Sequence, residues 1–271
     1  MTELTEREFS LIRDFLKKNY GISLGNEKRS LVFSRLRSDL LQHGFSDFTQ
    51  YYDYLVNDKS GAALTSFVNK MTTNHTYFMR EADHFGVLKE EVLPYIEQKH
   101  SASKDLRLWC ASSSSGEEPY TLQMIIQDYF ASKPGWNTEI LATDISTKVL
   151  TKAVAGVYTN ESLNPLPSEW KTRYLRNFDS EHFVMSEELK KLITFRQLNL
   201  MDKVFPFKKP FQAIFARNVM IYFDNDTRKE LVRKFYDVTE PGGYLFVGHS
   251  ESLNQLESDY KYQQPAVYRK V

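Results

Sequence analysis

The stretch Trp109-Cys-Ala-Ser-Ser-Ser-Ser-Gly-Glu-Glu-Pro-Tyr120 indicates the fold class of this 271-residue chain. It overlaps a short apolar run, residues 106–110, and leads into a helical pattern over residues 120–130. A strand that ends in small residues and continues as a helix directs backbone N–H groups at one spot, which suits an anionic group. Serines replace the glycines of a dinucleotide cradle, however, and Glu117 and Glu118 would repel phosphate. The turn therefore fits a ligand with a cationic group better, and the alternative is an ordinary capped helix start.

The sequence around this stretch alternates between strand and helix patterns. Such alternation predicts a parallel sheet with right-handed crossovers, a Rossmann-like α/β domain that binds a nucleoside cofactor. The predicted elements are a strand at 139–143, a helix at 147–155, a strand at 211–216, a helix at 226–239, a turn at 241–243, a strand at 244–248 and an antiparallel edge at 262–268.

The remaining segments differ from this pattern. Residues 1–70 predict a small helical domain, with helices that end at Gly21 and near Gly44 and a third around residues 48–55. No strand is expected before Leu106. Residues 71–271 then form the α/β domain, and residues from about 157 to 196 predict an insertion with a small helix and a hairpin.

Composition narrows the class of protein. Lys plus Arg equals Asp plus Glu at 35 each, which gives no general reason to expect nucleic acid or an anionic membrane as partner. The single cysteine, Cys110, excludes an internal disulfide and argues against a cysteine zinc site. No apolar run approaches the roughly 20 residues of a membrane span, and the first nine residues lack a signal-peptide core. We therefore expect a cytoplasmic protein, and nothing demands more than a monomer.

Three polar residues follow predicted strands. Asp144 ends a strand where an acid commonly binds ribose hydroxyls, although it could also cap the following helix. Asn218 and Tyr222 follow the strand at 211–216, and Tyr222 could equally be a surface aromatic residue. The histidines show no spacing typical of a metal ligand set, so we predict no metal and expect His75, His84 and His249 to be caps or surface groups.

The segment Thr73-Asn-His-Thr-Tyr-Phe-Met-Arg80 lies between the helical and α/β parts. Asn74, Thr76 and Arg80 offer several hydrogen-bonding groups in a short span, and an arginine suits a carboxylate. The alternative is an ordinary capped helix with a surface arginine.

Taken together, these segments resemble one family, the chemotaxis receptor methyltransferases. These enzymes transfer a methyl group from S-adenosylmethionine to glutamate side chains of chemoreceptors. The similar strings occur in family order across nearly the whole chain, and they are Thr73-Asn-His-Thr-Tyr-Phe-Met-Arg-Glu81, Trp109–Tyr120 as quoted above, Ala142-Thr-Asp-Ile145, Ala216-Arg-Asn-Val-Met-Ile-Tyr-Phe-Asp224 and Gly242-Gly-Tyr-Leu-Phe-Val-Gly-His-Ser-Glu251.

The resemblance implies S-adenosylmethionine as cofactor, S-adenosylhomocysteine as product, and roles for individual residues. One of Glu117 and Glu118, with Glu118 preferred, would face the cofactor's amino group, and Asp144 would bind its ribose. Arg80 and Tyr222 would position the substrate carboxylate. The further implied cofactor contacts are Asn74, Thr76, Arg80, Asn199, Leu200, Arg217 and Asn218.

The resemblance also implies partner surfaces. Lys28, Arg29, Arg35 and Arg37, here called the basic patch, would meet the acidic cytoplasmic helical bundle of a chemoreceptor, although a charged helix face can also be merely solvated. The insertion resembles a β-subdomain that binds a receptor C-terminal peptide in some members. The hairpin tip at 177–181 lacks glycine and looks short, so we expect receptors to be recognised without that peptide.

Two other functions remain compatible with these residues. A methyltransferase for a different acceptor would keep the cofactor site and change the partner. A non-catalytic sensor would bind S-adenosylmethionine without turnover, although the presence of both Arg80 and Tyr222 argues against it. A nucleic-acid methyltransferase is disfavoured because the chain has no basic excess.

Overall fold

A computed structural model describes residues 3–253, 256 and 258–271 of the chain. The predicted ranges 1–70 and 71–271 thus include five residues that lie outside the described part. Among the described residues, no helix combines the length and apolar character needed to cross a bilayer.

The first part of the chain is a bundle of four helices with its own apolar core. Thr5 and Glu8 form a reciprocal capping box at the first helix, and left-handed Gly21 and Gly44 end the first two helices as expected. The fourth helix was not predicted, although its buried residues repeat at helical spacing. The helices are α1 (Glu6–Tyr20), α2 (Arg29–His43), which follows a short 3₁₀ turn at Asn26–Lys28, α3 (Phe48–Asn57) and α4 (Ala62–Met71).

The second part is built on a seven-stranded sheet, with strand order β6-β2-β1-β7-β8-β10-β9. The first five strands in that order are parallel, and β10 and β9 join antiparallel to them, as the strand–helix alternation predicts. The strands are β1 (Leu108–Cys110), β2 (Ile140–Asp144), β6 (Ile193–Gln197), β7 (Phe211–Ala216), β8 (Thr239–Val247), β9 (Lys261–Gln264) and β10 (Val267–Arg269).

Helices cover both faces of this sheet. Side chains alternate along each strand, so Leu108 and Cys110 pack into one core while Trp109 packs into the other. The helices of this part are α5 (Asp83–Val87), which continues through a π-helical turn at Leu88–Val92 into α6 (Leu93–Lys99), then α7 (Glu117–Phe130), α8 (Thr147–Ala155) and α11 (Asn225–Val238). The helices between Asp83 and Lys99 were not predicted.

An inserted three-stranded sheet, order β3-β5-β4, follows α8. The insertion was expected to end near residue 196, but Ile193–Gln197 forms β6 of the main sheet. It also holds two short helices and a third strand rather than one helix and a hairpin. Its elements are β3 (Val157–Thr159), α9 (Ser168–Tyr174), β4 (Leu175–Asn177), β5 (His182–Met185) and α10 (Glu187–Lys190).

Three details of the main sheet differ from expectation. The first strand begins at Leu108, because the N–H of Leu106 bonds to the carbonyl of Asn137 instead of a neighbouring strand. Residues 241–243 lie in a bulge of β8 rather than in a separate turn, since the register with β7 shifts there. The predicted edge strand at 262–268 is a hairpin of β9 and β10, reversed at Ala266, whose φ is +60°.

Candidate functional site

One pocket of about 1110 Å³, including its open mouth, lies beyond the carboxyl ends of β1, β2, β6 and β7. This is where ligands bind in open α/β sheets. Every predicted site residue except Glu117 and the basic patch contributes to its wall. The predicted residues that line it are Asn74, Thr76, Arg80, Glu118, Asp144, Asn199, Leu200, Arg217, Asn218 and Tyr222.

The turn after β1, residues 111–116, forms the floor of the pocket. Gly116 starts α7 at φ +103°, and a Cβ there would lie 2.6 Å from the hydroxyl oxygen of Tyr158. Only glycine fits at that position. The hydroxyl of Ser114 donates to the carbonyl of Asn74 (3.0 Å), and that of Ser112 donates to the carbonyl of Arg217 (3.1 Å). The serines thus tie the turn to two other walls of the pocket.

Asp144 is buried at the end of β2. Its carboxylate accepts the N–H groups of Ser114 and Ser146, each at 2.9 Å. Burial raises the pKa of Asp144, and these N–H bonds oppose that shift. Ser146, not Asp144, caps α8, so the alternative role of Asp144 as the helix cap is wrong. Each carboxylate oxygen keeps a lone pair for a further donor such as a ribose hydroxyl.

The two neighbouring glutamates of α7 have different surroundings. Glu118 lines the pocket, and its oxygens contact Arg217 (2.5 Å) and the thiol of Cys110 (3.1 Å). Glu117 accepts the hydroxyl of Ser115 (2.8 Å) outside the pocket lining, and burial raises the pKa of Glu117. The geometry supports Glu118 over Glu117 as the pocket acid.

Arg217 is a buried cation between two carboxylates. It binds Glu118 and, at 3.1 Å, Glu81, and it also donates to the carbonyl of Arg80. Glu81 further accepts the amide of Asn218 (3.2 Å). The network joins the end of β7 to α7 and to residues 72–82, the linker between α4 and α5. A buried, hydrogen-bonded network of this kind fixes the shape of the pocket.

Arg80 of the linker and Tyr222 of the loop after β7 both line the pocket. Arg80 donates to the carbonyl of His75 (2.9 Å), and the Tyr222 hydroxyl donates to the carbonyl of Thr73 at a long 3.4 Å. Arg80 retains further N–H groups for a ligand. Both residues are of intermediate exposure, and both line the pocket.

The first helical part closes one side of the pocket. Tyr20 and Ile22 line it, and the amide of Asn199 donates to the carbonyl of Asn19 (2.8 Å). The N–H of Ser23 donates to the carbonyl of Tyr222 (2.8 Å). The pocket is therefore assembled from both parts of the chain.

The basic patch is exposed only in part. Lys28, Arg29 and Arg37 are exposed, and Arg29 pairs weakly with Glu6 (3.4 Å). Arg35 instead donates to the carbonyl of Met71 and the hydroxyl of Thr73, at 2.6 and 2.9 Å. Arg35 thus holds the linker in place.

The histidines depart from expectation at one position. His84 is fully buried, and neither ring nitrogen makes a hydrogen bond within the described residues, so its assignment as a cap or surface group is wrong. It packs edge-on against Phe246 and His249, and this burial lowers the pKa of His84 to about 4. Ligand atoms of Glu81, His84 and His249 lie within 4.8 Å of one another, although Glu81 already binds Arg217 and Asn218.

Sequence reasoning missed two carboxylates that bond to residues of the pocket wall. Glu81 follows Arg80 directly in a quoted string, and Glu251 ends another, so the strings themselves were the available signal. Their roles depend on contacts with distant residues, which local spacing does not reveal.

The sheet, with a pocket at its carboxyl edge and an acid at the end of β2, defines the class of Rossmann-like domains that bind a nucleoside cofactor. Residues 74–268 match the family model "CheR methyltransferase, SAM binding domain", where SAM is S-adenosylmethionine, and residues 7–72 match "CheR methyltransferase, all-alpha domain". The chain belongs to the CheR methyltransferase family and is an S-adenosylmethionine-dependent methyltransferase.

Curated relatives match over nearly the whole chain. The chemotaxis protein methyltransferase of Borreliella burgdorferi is 40% identical over 270 residues, covering 98% of this chain and 95% of the relative. The proteins of the same name from Escherichia coli K12 and Salmonella typhimurium LT2 are 36% and 35% identical. These alignments cover 99% and 98% of this chain and 93% and 90% of the relatives.

Proposed function

We propose that this enzyme transfers a methyl group from S-adenosylmethionine to glutamate side chains of chemoreceptors, giving glutamate methyl esters and S-adenosylhomocysteine for chemotactic adaptation. The observation that carries the proposal is the convergence of Arg80 and Tyr222, two donors suited to a carboxylate, on the pocket that also holds Glu118 and Asp144.

The residues of the pocket fit this cofactor. Asp144 would accept the ribose hydroxyls, and Glu118 would accept the ammonium group of the methionyl part. Asn199 and Leu200 would flank the adenine, and the other wall contacts would come from Asn74, Thr76, Arg217 and Asn218. Because Arg217 neutralises part of the charge on Glu118, the site balances carboxylates against cations before the cofactor enters.

In the proposed mechanism, residues of this chain align the substrate carboxylate with the methyl group of the cofactor. S-adenosylmethionine supplies an electrophilic methyl group when bound. A glutamate carboxylate is already ionised at neutral pH, so no general base is needed. Arg80 and Tyr222 would hold one carboxylate oxygen and direct the other towards the methyl group. When the substrate binds, its carboxylate would replace the carbonyl of His75 as acceptor for Arg80. It would likewise replace the carbonyl of Thr73 as acceptor for Tyr222.

We propose that the helical part, residues 1–70, recognises the receptor. The exposed cations Lys28, Arg29 and Arg37 would steer its face towards the acidic cytoplasmic helices of a chemoreceptor. The enzyme would act as a monomer in the cytoplasm, without nucleic acid.

We further propose that binding does not require a receptor C-terminal peptide. The tip between β4 and β5 is short, and Asp179 closes it by accepting the N–H groups of Glu181 and His182, both at 2.8 Å. Calorimetry with a receptor C-terminal pentapeptide should therefore show no tight binding. A tight complex would overturn this part of the proposal.

The test of the reaction is methyl transfer from radiolabelled S-adenosylmethionine to a chemoreceptor cytoplasmic fragment. We expect base-labile label, as a carboxyl methyl ester gives, and its loss in Arg80→Ala. Arg233→Ala, which removes an exposed arginine on α11 that lies outside both the pocket lining and the helical part, serves as the matched control and should retain transfer. Cofactor binding in calorimetry without any transfer would favour a different acceptor or a sensor instead.

A further inference from the structure

The string Gly248-His-Ser-Glu251 after β8 has no role in the function derived so far. Glu251 is 4% exposed, yet its carboxylate does not face the pocket lining. It accepts three backbone N–H groups, from Gly248 (2.5 Å), Asn218 (2.8 Å) and Ile221 (3.1 Å). Two of these three donors belong to residues 217–223, here called the β7 loop, which carries Asn218 and Tyr222 into the pocket.

The β7 loop needs such an acceptor. Asn218 adopts φ +56°, a left-handed conformation that a side chain disfavours. The 3₁₀ turn Met220–Tyr222 that follows has no side-chain cap of its own, so its first N–H groups lack partners within the turn. Glu251 supplies acceptors to both places, and it acts as a cap that comes from the segment after β8.

Other elements hold the carbonyl groups of the same loop. Arg228 donates to the carbonyl of Met220 (2.8 Å), and Ser23 donates to that of Tyr222. Gly248 permits the close approach, because a Cβ there would collide with the amide of Asn218. Among the side chains described, Glu251 is the one that accepts from the N–H groups of Asn218 and Ile221.

We infer that Glu251 is a positioning residue for methyl transfer, which braces the β7 loop so that Tyr222 and Asn218 reach the pocket in a fixed arrangement. The inference rests on the function proposed above for Tyr222. It does not make Glu251 a catalytic residue, since Glu251 acts only through the loop.

The substitution that tests this brace is Glu251→Gln. A carboxamide keeps the shape but offers one acceptor oxygen and turns an NH₂ group towards a backbone N–H. Hydrogen exchange of the Asn218 and Ile221 amides should accelerate about tenfold or more relative to the strands of the sheet. Unchanged exchange at both amides would overturn the inference.

A double-mutant cycle with Tyr222→Phe tests the link to transfer. We expect Glu251→Gln to lower kcat about tenfold alone and less than about twofold in the Tyr222→Phe background, because residues that act through one another are not additive. Equal costs in both backgrounds would show a merely structural role and overturn the inference. If Tyr222→Phe leaves kcat unchanged, the proposed role of Tyr222 in positioning the substrate is wrong. Faster hydrogen exchange of the Asn218 and Ile221 amides in Glu251→Gln would still support the brace.

Glu8 provides the matched control for general destabilisation. It is another buried glutamate, 5% exposed, that accepts three backbone N–H groups, from Thr5 (2.9 Å), Phe48 (2.8 Å) and Thr49 (3.1 Å), in the helical part. Glu8→Gln should lower stability and leave kcat per folded molecule unchanged. Should Glu251→Gln fail to fold, Glu251→Asp retains the charge, and intermediate exchange and kcat would support the brace, whereas wild-type values would contradict it.

Discussion

Glu117 and Glu118 are adjacent in sequence, but they have separate chemical surroundings. Successive residues of an α-helix are rotated by about 100° around its axis. The carboxylate of Glu118 therefore faces the pocket, whereas that of Glu117 packs beside Ser115. Adjacent acids in a helix are therefore not interchangeable as ligands.

This difference predicts the effect of removing each charge on cofactor affinity. Glu118→Gln should weaken S-adenosylhomocysteine about 10- to 150-fold, since a hydrogen bond to a charged group contributes roughly 1.5–3 kcal/mol. Glu117→Gln should change affinity less than about threefold, because that carboxylate lies outside the pocket lining. Calorimetric titration of both variants gives the comparison, and equal losses would contradict the assignment.

At the scale of elements, one residue joins the two parts of the chain. Asp224 caps α11 by accepting the N–H of Thr227 (3.0 Å), and it also pairs with Lys17 of α1 (2.8 Å). The hydrogen bond from Lys17 is the first cause of a pKa for Asp224 lowered to about 2. Because this folded-state pKa is below the unfolded value of about 4, the stabilisation is complete above pH 4 and is lost as pH falls towards 2.

We therefore predict a pH-dependent cost for Asp224→Ala. At pH 7 the variant should lose about 1 kcal/mol of unfolding free energy, the usual cost of a helix cap. The difference in unfolding free energy between the variant and the wild type should become smaller as pH falls below about 4. Urea denaturation at pH 7, 5 and 3 measures it, and a difference that stays constant over this range would refute the ionic part of the argument.

Elements bounded by strong local signals could be predicted from the sequence. The helix at 147–155 and the strand at 211–216 have the bounds expected for them. A capping serine and a glycine frame the helix, and five of the six residues of the strand are apolar. The bulge at 241–243 and the reversal at Ala266 could not be predicted, because both depend on the register with a partner strand.

The site was predictable to a similar extent. Asp144 and Asn218 could be located because strand ends meet at one edge of a parallel sheet. The bonds from Arg217 to Glu81 and from the N–H groups of the β7 loop to Glu251 link residues 30 or more positions apart in sequence. No local pattern specifies such pairs, so only the packed structure shows them.

At the scale of the whole molecule, the formal net charge is zero, but individual cations are exposed at different places on the surface. Lys28 and Arg37 are exposed on the helical part, whereas Lys208 is exposed near the amino end of β7, at the opposite edge of the sheet from the pocket. Electrostatic steering of a receptor depends on the local field and not on the total.

Charge reversal at Lys28 and Arg37 should therefore affect receptor recognition. The double variant should raise KM for a receptor fragment about 3- to 10-fold at low salt, with a smaller effect at about 0.5 M salt, where charges are screened beyond a few ångströms. S-adenosylhomocysteine affinity should not change. Lys208→Glu is the control, and an equal rise in KM for it would show that the location of the charge is unimportant.

The shared wall of the pocket has a consequence for how this protein can be recombined. Tyr20 and Ile22 line the cofactor pocket, and Asn19 and Ser23 hold Asn199 and the β7 loop through backbone atoms. A chimera that took its first 70 residues from another family member would thus exchange part of the pocket wall along with the proposed receptor-binding surface. Grafting specificity between relatives would therefore require the α1–α2 connection to be inherited together with the loops that it touches.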